Sequence, residues 1–289
     1  MIKLSIIIPY KDSGETLLEL LGTIPDTPEY EIILIDDRSE KPFNENECYK
    51  RNLKIYRNDR PGDGPGTARN IGVSKSRGEW LVFADSDDWF TGNAFCVFER
   101  FFDSRSDIIY FRPKSKHDWN DQAGTRHKSY EKLVDSFLDY KSDWIRYRFH
   151  SPWSKMIRRS LFVEHQIEFD ETIVANDLVC SLRLGLCADR IDACDETVYI
   201  VRQGRPGSLS SKRDEVHYNI RLENHIRYNS FLQERKLGDK RMGGLSILKR
   251  ALSLGCFKFI KIFLIFLKQR QPILEPFSYY IMVVKKIIR

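Results

Sequence analysis

Paired cysteines are missing from this chain. Its six cysteines (Cys48, Cys96, Cys180, Cys187, Cys194 and Cys256) form no Cys-x-x-Cys motif. Cys180, Cys187 and Cys194 are spaced by seven but have no histidine at ligand spacing, so they read as small buried residues. That usage excludes the common zinc and dithiol motifs and suits a reducing compartment. A Gly-x-x-x-x-Gly-Lys-Ser/Thr P-loop is also absent. The first apolar run stops at Pro9, which makes it a first strand rather than a signal peptide. Internal repeats and low-complexity tracts are lacking. Acidic residues become scarce after about residue 240, although the net charge is only 47 − 41 = +6. A balance that mild gives no reason to expect nucleic acid as a partner.

What is present is the composition of a folded body. The chain has 289 residues, 42% apolar and 30% charged, enough for one large or two small domains. Leu4 to Pro9 and Glu31 to Ile35 are near-continuous apolar strands, separated by a helical pattern from Glu15 to Ile24. Strand–helix–strand with such strands predicts a parallel sheet covered on both faces. Right-handed crossovers then put Pro9-Tyr10 and Asp36-Asp37 on one sheet edge, where open α/β sheets hold ligands. Leu53 to Tyr56 is a short third strand. Arg60 to Gly72 is a glycine- and proline-rich loop entering a helix at Thr67, an arrangement that suits a phosphate as well as a plain surface loop.

A fourth strand, Glu79 to Phe83, runs straight into Asp85-Ser86-Asp87-Asp88. Two unit charges about 4 Å apart repel by roughly 4 kcal/mol at an effective dielectric near 20. A hard divalent cation, Mg²⁺ or Mn²⁺, converts that repulsion into oxygen ligation. Further on, Ile108 to Phe111 reads as a strand, Pro113 to Arg126 as a mobile loop, and Tyr130 to Tyr147 as one helix. Asn176-Asp177 opens another helix, where capping competes with chemistry for the carboxylate. Thr197 to Val201 is a late strand.

Taken in order, Asp37, Arg69, Asp85 to Asp88 and Asp177 make residues 2 to about 210 resemble the family 2 glycosyltransferases of the GT-A fold. Ile35-Asp36-Asp37-Arg38-Ser39 resembles the family's nucleotide-binding Asp-Asp-x-Ser turn. Gly66 to Gly72 resembles its Ala-Arg-Asn-x-Gly segment, and Asp85-Ser86-Asp87 its Asp-x-Asp signature. The resemblance implies an α/β fold with a Rossmann-like, mostly parallel sheet flanked by helices. It divides the chain into a catalytic domain, 1–210, and a C-terminal helical extension, 211–289. The catalytic domain would have a nucleotide-sugar half over 1–112 and an acceptor half over 113–210.

The resemblance also implies roles. Asp37 accepts from the base, usually uracil, and Pro9 and Tyr10 line the base and ribose. Arg69, Asp85 and Ser86 belong to the nucleotide-sugar site, and Asp87 ligates Mn²⁺ or Mg²⁺. Asp177 is the catalytic base, with Asn176 standing where the family has Glu. Trp153, Lys155, Arg205 and Ser208 fall on the acceptor side. The implied activity is metal-dependent, inverting transfer of a hexosyl or N-acetylhexosaminyl group from a UDP-sugar to a glycan or glycolipid. The product would be a cell-surface polysaccharide or lipopolysaccharide. A sugar-nucleotide pyrophosphorylase would want a Gly-rich basic loop after strand one, which Pro9-Tyr10-Lys11-Asp12-Ser13 is not. A catalytically silent binding module is the alternative from another class.

The tail carries its own signal. Leu254 to Leu267 is strongly apolar but holds Lys258 and Lys261. As a helix it reaches about 21 Å, short of the roughly 30 Å hydrocarbon core. Bases around apolar residues predict an in-plane amphipathic helix. After Glu275-Pro276, Phe277 to Val284 is a second candidate ahead of Lys285 and Lys286. The expectation is a cytoplasmic enzyme held peripherally on the inner face of the membrane. Packing of the tail on the catalytic domain, or on a second subunit in a homo-oligomer, is the competing reading.

Overall fold

Every residue of strands β1 (Leu4–Tyr10) and β2 (Tyr30–Asp36) is buried, which is why both read as unbroken apolar runs. The computed structural model of the protein describes residues 1–48, 50–60, 64–118, 122–204 and 214–284. It divides into two compact units, Met1–Ser208 and Leu209–Arg289.

The first unit is built on one eight-stranded sheet. Its other strands are β3 (Leu53–Arg57), β4 (Trp80–Phe83), β5 (Trp89–Phe90), β6 (Ile108–His117), β7 (Lys155–Arg158) and β8 (Ile191–Gln203). The spatial order is β3-β2-β1-β4-β7-β6-β8-β5. Strands β3, β2, β1 and β4 run parallel, β7 runs against both β4 and β6, and β6 lies parallel to β8. The helices are α1 (Gly14–Gly22), α2 (Pro65–Lys75), α3 (Ala94–Glu99), α4 (Lys128–Tyr140), α5 (Trp144–Arg148), α6 (Arg159–Glu164) and α7 (Leu178–Cys187).

Register fixes the working edge. Tyr10 pairs with Asp36, and Ile7 pairs with Phe83. The carboxyl ends of β1, β2 and β4 therefore open on the same side, carrying Tyr10, Asp37 and Asp85. Helix α2 lies close against β1 because Gly72 leaves no room for a Cβ beside Ile7. Gly66 likewise sits against the Asp170 carbonyl. These two glycines of the segment around Arg69 thus serve close packing.

Three expectations change. Pro113 to His117 is not loop but the second half of β6, paired with Tyr199 to Gln203 of β8. A register shift around Arg112 accommodates Pro113, which has no N–H for the ladder. The expected helix from Tyr130 to Tyr147 is two helices. Lys141 adopts φ 51° and closes α4 by donating to Phe137 O at 2.8 Å, while Ser142 N donates to Ser136 O at 3.3 Å. Lys155 to Arg158, where the only expectation was Lys155 on the acceptor side, is the strand β7 that joins the two halves of the sheet.

The second unit is helical: α8 (Glu215–Glu234), α9 (Leu245–Ser253), α10 (Cys256–Lys268) and α11 (Phe277–Val284). Asp214 caps α8, accepting from His217 N at 3.0 Å. Tyr218, Leu222, Leu248, Ala251, Ile262 and Phe266 form its core. Asn229, fully buried, ties α8 to the segments that precede α9 and follow α10. It donates to Met242 O at 3.0 Å and Gln271 Oε1 at 2.9 Å, and accepts from Met242 N at 2.7 Å. Among the described residues no helix is long and apolar enough to cross a membrane.

Candidate active site

At the β1–β2 edge, two aspartates follow one another and do different jobs. Asp36 accepts from Ser39 N at 2.7 Å, which tightens the turn after β2. Asp37 is buried beside Asn58, which donates to Asp37 Oδ1 at 2.7 Å while its own N–H donates to Asp36 O at 2.8 Å. Asn58 is thereby the residue that aims Asp37. It follows a short strand paired with β2, a position from which its proximity to Asp36 could have been read.

Tyr10 is buried too, and its hydroxyl donates to Lys41 O at 2.9 Å while its ring meets Phe43 edge-on at 6.3 Å. Burial first, and then the nearby carboxylates, push its pKa up. Asp12, at φ 49°, accepts from Glu40 N at 2.8 Å and so joins the two turns. Pro9 is a buried strand residue paired with Ile35. These contacts tie the turns after β1 and β2 to each other.

The β4 edge holds the acidic turn. Asp85 N donates to the Tyr199 hydroxyl at 2.8 Å, and Asp88 N donates to Asp85 O at 3.1 Å. Ser86 and Ser13 share a hydroxyl hydrogen bond of 2.7 Å. Arg202, on β8, clamps the turn: its backbone N–H donates to Asp88 Oδ1 at 2.7 Å and its Nε to Asp87 O at 2.8 Å. Its guanidinium also pairs with Asp118 and Glu19 and lies 4.1 Å over the Trp89 ring. Asp88 is buried, and burial followed by the charges of Asp87 and Asp85 drives its pKa well up. Tyr199 and Arg202 were invisible as site residues in the sequence, because only the β6–β8 pairing brings them to the turn.

Arg69 links this turn to the far end of the chain. It donates to Asp85 Oδ1 at 2.6 Å and to Asn176 Oδ1 at 2.7 Å, with its guanidinium 5.5 Å from the Phe169 ring centre. Asn176 thus fills the position before Asp177 as the acceptor for this arginine. Asp177 sits at the N-cap of α7, yet its side chain makes no capping hydrogen bond. Its pKa is raised, by burial first, with Asp85 pushing the same way and Arg69 and Lys155 opposing. The carboxylate therefore belongs to the electrostatic cluster of Asp85 and Arg69.

Of the acceptor-side residues, Trp153 is 1% and Lys155 2% exposed. Trp153 stacks on Tyr199 with ring centres 5.8 Å apart. Lys155 donates to Phe149 O at 2.6 Å and lies 4.9 Å over the Phe149 ring. Both are placed beneath the site rather than on its surface: an indole and a long aliphatic stem gain more from this aromatic cage than from water. Arg205 and Ser208 lie outside the described residues.

The donor set of the turn suits a hard cation. Asp85, Asp87 and Asp88 are all oxygen donors, and their mutual repulsion is visible in Asp88. Among the described residues no three His, Cys, Asp or Glu side chains converge as a complete cage. The turn therefore offers oxygen donors of the kind Mg²⁺ or Mn²⁺ takes without completing a site by itself.

Residues 5–165 match the family model for glycosyl transferase family 2. The chain belongs to this family. Among curated relatives, the poly(ribitol-phosphate) β-N-acetylglucosaminyltransferase TarS of Staphylococcus aureus is 26% identical over 220 residues, covering 73% of this chain and 37% of TarS. The poly(ribitol-phosphate) β-glucosyltransferase of Bacillus spizizenii is 26% identical over 219 residues, covering 72% and 33% respectively. This family 2 glycosyltransferase thus spans about a third of the length of those two relatives. The crystal structure of S. aureus TarS 1–349 in complex with UDP-GlcNAc superposes with a TM-score of 0.65 at 23% identity, covering 88% of this chain and 74% of that one. The mixed sheet flanked by helices is accordingly the GT-A fold expected from the motifs.

Proposed function

We propose that this glycosyltransferase moves a sugar from a UDP-sugar to a hydroxyl of a cell-surface glycan or glycolipid, with inversion at the anomeric carbon. The observation that carries the reading is the convergence of Asp85, Arg69, Asn176 and Asp177 on the sheet edge that also bears Tyr10 and Asp37. Asp37, held by Asn58, would accept from the base, and Pro9 and Tyr10 would line the base and ribose. Asp85 and Ser86 would face the ribose and sugar, with Arg69 holding Asp85 in place.

The acceptor oxygen would attack the anomeric carbon from the face opposite the diphosphate. The new carbon–oxygen bond forms as the bond to phosphate breaks, the electron pair leaves on the diphosphate, and the hydroxyl proton passes to Asp177. A carboxylate with an ordinary pKa is a weak base, so the upward push on Asp177 supports this role. Mg²⁺ or Mn²⁺ held by Asp87 would supply Lewis-acid neutralisation of the leaving group. An α-linked donor then gives a β-glycoside, in keeping with the β-transferase names of the two relatives. Those names, and the UDP-GlcNAc complex of TarS, make UDP-GlcNAc and UDP-glucose the first donors to try. We place the reaction at the inner face of the cell membrane, where a lipid-linked or wall-polymer acceptor is within reach.

The test is UDP release from a panel of UDP-sugars with Mn²⁺, Mg²⁺ or chelator. Metal-dependent release with one sugar supports the reading. No release from any of them would turn the protein into a silent sugar-nucleotide binder.

A further inference from the structure

Helix α10 is apolar on two opposite sides, and the core of its own unit covers only one. At about 100° per residue, Ile262 and Phe266 point one way. Phe257, Ile260, Leu264 and Leu267 fall within an arc of about 80° on the other side. The first pair packs in the core with Tyr218, Leu222 and Leu248. The second group is solvent-facing: Phe257 is 91%, Ile260 52%, Leu264 57% and Leu267 56% exposed. Lys261 and Lys268, both exposed, border this stripe within about 40° of Phe257. Exposed apolar residues continue on α11 with Phe277, Tyr280 and Ile281.

A stripe of this kind needs a cover, because large contiguous apolar patches are rare on isolated soluble proteins. From Leu245 to Val284 the sequence carries six lysines and arginines and a single acid, Glu275. A second copy docked through the same stripe would bring a second basic border, Lys261 and Lys268 again, into the same interface and supply no opposite charge. Negatively charged lipid complements both features at once. We propose that the α10 stripe rests on an anionic bilayer, the helix lying in the plane of the interface. The four apolar side chains reach the acyl boundary, and Lys261 and Lys268 stay at headgroup level. Crossing is excluded by size, since the 13 residues of α10 reach only about 20 Å. The proposal deepens the membrane placement given above and rests on it for its purpose, not for its geometry.

The full-length protein is mixed with phosphatidylcholine vesicles, with or without phosphatidylglycerol, and sedimented. UDP release is measured in the same samples. Pelleting with the anionic vesicles, reduced by salt and absent with the neutral ones, is expected. Phe257→Ser/Leu264→Ser should lower the partition at least about tenfold. Lys261→Gln/Lys268→Gln should lower it about 25-fold, at roughly fivefold per base near an anionic surface. Both pairs are exposed, so melting should stay unchanged, and if the apolar pair misfolds the lysine pair still decides. The proposal is overturned if the wild type stays in the supernatant, or if either double variant, correctly folded, pellets as it does. It is also overturned if light scattering shows a dimer that Phe257→Ser/Leu264→Ser abolishes without any vesicle binding. Lost pelleting with UDP release intact sinks the docking alone. Pelleting without UDP release sinks the transfer reading alone.

Discussion

Arg69 and Asp85 form an ion pair at 2.6 Å with only 6% of the arginine side chain exposed. The other guanidinium nitrogen is committed to Asn176. The pair therefore ties the acidic turn after β4 to the entrance of α7, two segments far apart in sequence. A planar fork does this where a lysine could not.

Arg69→Lys keeps the charge but loses the fork. It should leave the Asn176 oxygen without this donor and destabilise the protein by about 1.5–3 kcal/mol. Arg69→Met removes the charge as well. Since Arg69 holds down the pKa of Asp177, the acid limb of the kcat profile should move to higher pH in Arg69→Met and much less in Arg69→Lys. Equal profiles in the two variants would separate Arg69 from Asp177.

Asp87→Ala should leave the fold intact and abolish metal-dependent turnover, at about 10²-fold or more. The Asp87 charge adds to the upward push on buried Asp88, so its removal relieves repulsion. Thermal melting should hold or rise, and calorimetric titration with Mn²⁺ in the presence of UDP should lose its signal. A lower melting temperature with Mn²⁺ affinity preserved would assign Asp87 to structure instead.

Much of this site was legible in the sequence for a physical reason. Strands β1, β2 and β4 are buried on both faces, so they appear as apolar runs, and a carboxylate cluster at a strand end calls for a cation or a cap. What escaped depends on non-local pairing. Pro113 to His117 is too polar to read as strand and becomes one only beside β8. Arg202 reaches Asp87 and Asp88 through that same pairing. Asn58 was within reach of a sequence reading, since it follows the third strand, but Arg69's second partner emerged only once Asn176 was folded next to it. Lys155 is the hardest case, since a lysine in a sequence reads as surface and this one is enclosed by aromatic rings.

Asp177→Asn should bind UDP-sugar normally but turn over about 10²-fold more slowly or worse. Its stability should move the other way. Burial raises the folded pKa of Asp177 above that of the unfolded chain. Between those two pKa values the folded state holds the extra proton, so stability is present at lower pH and is lost as pH rises through the folded value. The uncharged Asn escapes that loss, and the variant should melt higher than wild type at pH 7. Near-normal turnover in Asp177→Asn would move the base to Asp170 or Glu171.

Lys155 gives the opposite pH signature at the same site. Burial lowers its pKa to about 7, with Cys180 and Asp177 opposing. The unfolded chain, at the usual lysine value near 10.4, binds the proton more tightly through the window between. Stability contributed by this residue must therefore rise with pH from about 7 to about 10. Lys155→Met keeps the length of the stem and removes the charge, at the loss of the hydrogen bond to Phe149 O. Its unfolding free energy relative to wild type should be most favourable below pH 7 and should decline toward pH 10, where the wild-type amine is neutral and still bonded. The swing is on the order of a few kcal/mol. Chemical denaturation at several pH values measures it. A difference between the two proteins that stays constant across this range would mean that Lys155 keeps an ordinary pKa despite its enclosure.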